Sequence, residues 1–401
     1  MNRREFIKVG STASSGLVLG FYLPFKNKLT GETISSKSFE PNAWIKVQPD
    51  NYVRIMVGKS EMGQGVITSL PMIIAEEMDL DWSKVTVEKA PADKNKYGSQ
   101  MTGGSNSIAN NYNKLRKVGA VAREMLVAAA SENWGVPKSE CKTNLGLVIH
   151  KKSNKSISYG ELVTKASQQE VPEEPRLKHQ KDFSIIGKNV KRKDSKPKIN
   201  GTADYALDIQ LDDMVYATVV HSPVFGGKVR SFDKKSVKSI SGISKIFEIE
   251  SGIAIVGENT WSVLKASKTI KINWTEGKAK GLDSNKISKD LLKASKKKGG
   301  VVRKEGNVKK ALRSSEKTIE AIYESPFQAH ATMEPMSCTV SVEKNKCQVW
   351  VGTQNPNGVL KTASKITGLK EDQIEVNITF LGGGFGRRAS NDFVKEAIEI
   401  S

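Results

Sequence analysis

One layout occurs twice in this chain of 401 residues, and it limits the folds open to the sequence more than any other feature. Tyr52-Val53-Arg54-Ile55-Met56-Val57 alternates like a strand, and Gly58 to Gly65 is a glycine-punctuated turn carrying Gln64. Val66 to Met78 reads as a helix with Pro71 in its first turns. A strand at Val85-Thr86-Val87 follows, then a loop ending in Thr102-Gly103-Gly104-Ser105-Asn106-Ser107. Behind it Leu115, Val118, Ala122, Met125, Leu126 and Ala129 recur at helical spacing until Gly135 and Pro137 end the pattern. The tail repeats the order: a strand at Gln348-Val349-Trp350-Val351, a turn at Gly352-Thr353-Gln354-Asn355-Pro356, and a helix from about Val359 to Ile366. A strand through Ile374, Val376, Ile378 and Phe380 comes next, then Gly382-Gly383-Gly384-Phe385-Gly386 and a helix from near Asn391. The repetition predicts two related α/β units facing each other, within an α+β chain.

The intervening sequence differs. Residues 151–182 are polar, carry Pro172 and Pro175, and read as a connection. Residues 183–275 hold short strand-like pieces, Val215 to Val220, Ile246 to Ile249, Ile253 to Val256 and Ile270 to Trp274, with a short helix at Trp261 to Ala266. They predict a small α+β domain. The lysine-rich stretch 278–304 reads as a surface excursion, and 27–42 as a linker.

The first residues read as an address. Met1-Asn2-Arg3-Arg4-Glu5-Phe6-Ile7-Lys8 precedes a weakly apolar run, Val9 to Leu23, and paired arginines followed by x-Phe-Ile-Lys resemble a twin-arginine export signal. Gly16, Gly20 and Pro24 interrupt the run, which is short of the ~20 apolar residues needed to span a bilayer. Export to the periplasm follows, with tethering to the membrane if the signal is retained.

Composition removes several function classes. Hydrophobic residues at 38% supply material for real cores. Three cysteines, Cys141, Cys338 and Cys347, show no CxxC spacing and cannot build a disulfide framework or the usual four-ligand iron–sulfur cluster. Four histidines leave little room for a multi-histidine metal site. The net charge of +20 is spread thinly as lysine, and with no reading motif it favours a basic surface over nucleic-acid binding.

Three corners could carry chemistry. Three consecutive glycines at 382–384 cost backbone entropy, which a fold accepts where chain must pass close to something. Between a strand and a helix their N–H groups form an anion nest, with Arg387 and Arg388 adding charge. In Met62-Gly63-Gln64-Gly65 the glutamine amide both donates and accepts, which suits ring nitrogens, carbonyls or oxo groups. Thr102 to Ser107 reads as a phosphate cradle or as the N-cap of the following helix. A ligand-free tight turn is the competing reading at each. His330 and Glu334 have the spacing of half a metal site but lack further ligands, so a structural role is favoured, with Met333 and Met336 as core filler. Glu76 and Glu77 read as a solvated pair on a helix.

Together, Glu61-Met62-Gly63-Gln64-Gly65, Thr102-Gly103-Gly104-Ser105, Thr353-Gln354-Asn355 and Gly382-Gly383-Gly384-Phe385-Gly386 resemble the cofactor motifs of the xanthine dehydrogenase/aldehyde oxidase molybdenum hydroxylases. Their order and the twin-arginine start are most similar to the isoquinoline 1-oxidoreductase beta subunit branch. The resemblance implies a signal segment at 1–26, a first molybdopterin-binding segment at 43–150, a hammerhead-like domain at 183–275 and a second, truncated molybdopterin-binding segment at 315–401. The implied cofactor is a molybdenum pyranopterin, as the cytosine dinucleotide. It implies that Met62, Gly63, Gln64, Gly65, Thr102, Gly103, Gly104, Ser105 and Ser107 contact the pterin or its pyrophosphate. Gln354, Phe385 and Gly386 would lie beside the metal's ligands, with Gly383, Gly384 and Arg387 completing the corner. The implied reaction is hydroxylation of an N-heterocycle or aldehyde with oxygen from water, electrons leaving through a small [2Fe–2S] subunit. The family's chains run on beyond this stretch. The resemblance places the catalytic glutamate in that further part, which a separate chain could supply, so no catalytic residue is assigned here. The alternative is an incomplete, non-catalytic paralogue acting as a binding or assembly subunit.

Overall fold

The computed structural model describes residues 17–21 and 42–401. The rest of the expected signal segment at 1–26, and the expected linker at 27–42 up to its last residue, lie outside the described residues. No helix among the described residues is long and apolar enough to cross a membrane. The chain divides into two compact units, one made of residues up to Asp212 together with His330–Glu399, the other of Asp213–Ala329. The mixture of helices and strands, with no barrel among the described residues, is the expected α+β class.

The first unit begins with strands β1 (Leu17–Phe21), β2 (Asn42–Val47) and β3 (Val53–Val57), helix α1 (Val66–Glu77) and strand β4 (Val85–Lys89). They form one sheet in the order β1-β2-β3-β4. β1/β2 and β2/β3 are antiparallel, while β3/β4 are parallel, Val53 opposite Val85, because α1 carries the chain back across the sheet. Helix α2 (Tyr112–Trp134) packs on α1. All six residues predicted at helical spacing in α2, from Leu115 to Ala129, are buried. Gly119 permits the close crossing, since a Cβ there would sit 2.7 Å from the Ile74 carbonyl oxygen. Gly135 ends α2 in the left-handed region, as its sequence position predicts.

Strands β5 (Cys141–Asn144), β6 (Leu147–His150) and β7 (Lys155–Ser158) make a small antiparallel sheet, followed by helix α3 (Tyr159–Ala166). The expected polar connection at 151–182 is thus partly structured. Tyr159, Leu162 and Val163 join the main core, which the surrounding lysines and serines hide from a pattern search.

The second unit holds β8 (Tyr216–His221), β9 (Val229–Asp233), β10 (Ile243–Ile249), β11 (Gly252–Gly257), α4 (Thr260–Thr269) and β12 (Lys271–Trp274). β10-β11-β8 and β12-β9 are antiparallel sheets around Val237, Ile253, Ile255, Val263 and Ala266. Helices α5 (Ser284–Ser295) and α6 (Val308–Ser314) follow, and neither contains a buried residue. This unit starts after residue 183 and runs past 275; residues 183–212 belong to the first unit.

The chain then returns to the first unit with β13 (Cys338–Glu343), β14 (Lys346–Val351), α7 (Pro356–Thr367), β15 (Ile374–Ile378) and α8 (Asp392–Ile400). β13/β14 are antiparallel and β14/β15 parallel, Cys347 opposite Ile374. The repeat seen in the sequence is therefore a repeat of topology: antiparallel strand, parallel strand, crossover helix, parallel strand. Met333, expected in a core, is 94% exposed.

Candidate functional site

All four singled-out segments follow the carboxyl ends of parallel strands. Residues 58–65 follow β3, 90–107 follow β4, 352–355 follow β14 and 379–386 follow β15. This is where open α/β sheets place ligands, because crossover helices leave the loops there free to converge.

The four converge. Buried Gln354 is the staple: its Nε2 donates to the Thr102 carbonyl at 2.8 Å, and its Oε1 accepts the Gly386 N–H at 3.0 Å. Its backbone closes the same gaps, since Thr102 N donates to Gln354 O at 2.8 Å and Gln354 N to Arg388 O at 2.9 Å. Ser60 N donates to Thr102 Oγ1 at 2.9 Å, and Leu381 N donates to Glu61 O at 3.2 Å. Gly384 passes so near the first turn that a Cβ would lie 2.5 Å from Met62 Sδ and 2.7 Å from Gln354 Oε1. Asn357 from α7 grips Gln100, accepting its N–H at 3.0 Å and donating to its Oε1 at 2.8 Å.

The Met62–Gly65 turn is an anion nest that the protein fills itself. Buried Glu61 accepts the N–H groups of Gly63 at 2.8 Å, Gly65 at 3.0 Å and Ile67 at 3.0 Å, neutralising the start of α1. Gln64 spends its amide on its own turn, accepting from Met62 N and donating to Ser60 O. The Gln64 amide, expected to face a ligand, is spent inside the turn with the N–H groups of Met62, Gly63 and Gly65, so that the Gln64 backbone N–H and the turn's outward faces remain for a ligand. Arg192 and Asp194, which the sequence reading missed, brace it. Arg192 donates to Gly63 O at 3.2 Å and pairs with Asp194 at 2.7 Å. Burial pushes the Asp194 carboxyl up, but Arg192 and Lys198 outweigh it and hold its pKa at about 2.

The other two corners keep their donors. Among the described residues, the N–H groups of Gly383, Gly384 and Phe385 donate to nothing, and neither do those of Gly103, Gly104 and Ser105. Gly383 and Gly386 take φ of 98° and 88°, Phe385 takes 50°, and no atom lies within 4 Å of a Cβ built on Gly103 or Gly386. Thr102–Ser107 is not an N-cap, because α2 starts at Tyr112 behind Asn111. Thr102 is buried, while Ser105 is exposed and Ser107 half-buried beside the open glycines.

The two arginines of the corner diverge, which corrects the expectation that both add charge to a nest. Arg387 is held in a fork by Asp392, at 2.8 and 3.0 Å. Arg388 is fully buried. It pairs with Glu334 at 2.8 Å and donates to the carbonyls of Gly383, Gly352 and Glu334. Glu334 in turn accepts the Gly382 and Ala206 N–H groups, so its role is structural as expected, and His330 is exposed. No group of three metal-ligating side chains occurs among the described residues. Glu76 and Glu77 are not solvated. Both are wholly buried, Glu76 with Lys178 at 2.5 Å and Glu77 with Arg116 at 2.6 Å.

Beneath the corner, Lys89 Nζ lies 3.8 Å from the centre of the Phe380 ring, and burial pushes its pKa down to about 8. Its folded value is below its unfolded one, so the native state binds fewer protons between about pH 8 and the ordinary lysine range, and stability rises with pH across that window. Thermal melts of Lys89→Met against the parent chain are expected to show the variant relatively more stable near pH 7, with the difference shrinking as pH rises through the window. A pH-independent difference would contradict the buried, partly discharged amine.

Two models of a molybdopterin cofactor-binding domain match the chain, over residues 14–214 and 293–399. The chain is 29% identical to isoquinoline 1-oxidoreductase subunit beta of Brevundimonas diminuta, over 100% of this chain and 58% of that protein. It is 28% identical to membrane-bound aldehyde dehydrogenase (pyrroloquinoline-quinone) of Gluconacetobacter polyoxogenes, over 98% of this chain and 53% of that protein. Quinoline 2-oxidoreductase from Pseudomonas putida 86 matches in structure with a TM-score of 0.39 and 17% identity, over 51% of this chain and 31% of that one. The chain spans about half the length of the two curated relatives it matches here.

Proposed function

The chain belongs to the molybdopterin-binding proteins of the xanthine dehydrogenase family, and we propose that it forms the cofactor-holding part of a molybdenum hydroxylase acting on an N-heterocycle or an aldehyde. The observation that carries the reading is the meeting of four strand-end loops around two runs of unspent N–H groups, Gly383 to Phe385 and Gly103 to Ser105. The donor set fits the group: open glycines admit close approach, free N–H groups and serine hydroxyls suit phosphate oxygens, and the Met62 and Gln64 faces suit a ring edge. When bound, the molybdenum pyranopterin supplies transfer of a water-derived oxygen to carbon and accepts the electrons.

The residues of this chain bind and orient. Gly103, Gly104, Ser105 and Ser107 would hold the phosphate end, with the cytosine dinucleotide form proposed. Gly383, Gly384, Phe385 and Gly386 would face the metal end, with Gln354 locking the two corners at one spacing. Arg387, already paired with Asp392, would lend its charge to the rim. We further propose a small [2Fe–2S] subunit as electron acceptor, additional polypeptide supplying the catalytic base, and twin-arginine export to the periplasm.

The test is molybdenum and pterin analysis of the purified assembly that contains the full chain. About one molybdenum per chain is expected, lost in Gly384→Val, whose side chain meets Met62 and Gln354. Absence of both metal and pterin from the parent assembly would sink the reading and favour the non-catalytic one.

A further inference from the structure

The lysine-rich stretch after β12 carries two helices without a buried residue, α5 and α6. Each is capped locally: the Asp283 carboxylate accepts the Lys286 N–H at 2.9 Å, and Asn307 Oδ1 accepts the Lys310 N–H at 3.1 Å. Caps alone do not hold helices of this length. Isolated helices shorter than about 12–15 residues are marginal in water and draw their stability from a covered apolar face.

α5 has such a face. Ile287, Leu291 and Ala294 recur at i, i+4 and i+7, with Leu292 at the margin, while Lys286, Lys289 and Lys293 recur at i, i+3 and i+7 on the opposite side. Leu291 is 59% and Leu292 42% exposed. In α6, Val308 and Leu312 lie one turn apart and both are exposed, with Lys309, Lys310 and Arg313 around them. Val301 and Val302 in the connection are exposed as well. Residues 284–314 hold eleven lysines and arginines against two acids, Asp290 and Glu305, and Glu305 is taken by Arg303 at 2.5 Å.

This pairing of chemistries selects the occupant. A nucleic-acid backbone would use the cations and leave the leucines and valines in water. A protein groove would bury the apolar face but would have to match cations spread along the whole stretch. An anionic bilayer does both: the apolar side chains enter the boundary between headgroups and acyl chains, and the lysine stems reach back to the phosphates. We propose that residues 284–314 dock this chain on an anionic phospholipid surface, with Ile287, Leu291 and Leu292 inserted and Lys286, Lys289 and Lys293 among the headgroups. At 12 residues α5 is far short of the ~20 needed to cross, so it lies in the plane of the surface. The stretch belongs to the second unit and the four loops of the candidate site to the first, so docking needs no cofactor.

The test mixes the full chain with large unilamellar vesicles, of phosphatidylglycerol and phosphatidylethanolamine in one arm and of phosphatidylcholine alone in the other. Flotation reads partitioning, and amide exchange is followed along the chain. Partitioning to the anionic vesicles is expected to be at least about tenfold stronger than to phosphatidylcholine and to weaken with added salt. Exchange at 284–295 is expected to slow on the anionic vesicles. Leu291→Ser with Leu292→Ser is expected to weaken partitioning at least about tenfold, and so is Lys289→Gln with Lys293→Gln. All four side chains are exposed, so both double variants are expected to keep the parent's unfolding midpoint. The apolar run at 9–23 is the same in parent and variants, so a difference between them reports α5. Five results overturn the proposal: no binding to anionic vesicles, equal binding to both compositions, partitioning unchanged in the leucine variant, binding without protection of 284–295, or an oligonucleotide that protects 284–295 as well as the vesicles do. Molybdenum content plays no part in the outcome, so the docking surface and the cofactor reading fail separately.

Discussion

Arg388→Met is expected to cost the fold about 3–5 kcal/mol, the penalty for removing one partner of a buried ion pair. The guanidinium is fully buried, so bulk solvent does not reach the groups it contacts. Its loss leaves the Glu334 carboxylate, only 6% exposed, with the Ala206 and Gly382 N–H groups as its remaining partners. It also strands the carbonyls of Gly352, Gly383 and Glu334, which now share one cation. Methionine fills much of the volume, so the loss reports charge and hydrogen bonding rather than a cavity. Arg387→Met is the control. Its pair with Asp392 is 33% and 55% exposed, and such pairs contribute about 1 kcal/mol or less. Urea unfolding of the full-length variants compares them, and equal midpoints would refute the division of labour between these neighbours. Adding Glu334→Gln to Arg388→Met is expected to recover part of the loss, because it removes the orphaned charge.

That neighbouring arginines differ so much shows where sequence reading stops. The repeated topology was legible because its signals are local: period-2 runs at 53–57 and 374–378, helical spacing in α2, and glycine at the strand ends. The convergence of the four loops followed, since crossover helices send parallel strands the same way and so put their following loops at one edge. Long-range pairing was not legible. Glu76 and Glu77 looked solvated because Lys178 lies 102 residues from the first and Arg116 39 residues from the second. Glu61 was quoted as a motif letter, yet it takes the Gly63 and Gly65 N–H groups for the turn itself. The glutamate two places before paired glycines was the available signal, since a short carboxylate there reaches the N–H groups behind it. Arg192 and Asp194 sat in a lysine-rich run whose composition says surface, and only the fold turns Asp194 inward.

Gln354→Leu separates a site that is merely folded from one that is held at a fixed spacing. Leucine matches the glutamine in size, and the core under β14 and α7, built on Val349, Val351, Val359 and Ala363, does not include residue 354. Global unfolding is therefore expected to shift only modestly. Locally, the Thr102 carbonyl loses its Nε2 donor and the Gly386 N–H loses its acceptor, each costing about 1–3 kcal/mol if left unsatisfied in a buried setting. Both orphaned groups sit on the loops that face the proposed ligand, so the corners are expected to drift apart. Amide exchange at Gly386 should accelerate by at least about tenfold, since a cost of roughly 1.4 kcal/mol already gives that factor. Molybdenum content should fall with it, because phosphate end and metal end would no longer be offered at one separation. Gln354→Glu sharpens the point: it keeps an acceptor for Gly386 but turns a carboxylate oxygen toward the Thr102 carbonyl, so exchange at Gly386 stays slow while the Thr102 side opens. If Gly386 exchanges no faster in the leucine variant, the backbone bonds between Thr102, Gln354 and Arg388 hold the corners by themselves. The side chain would then be free to serve the ligand directly.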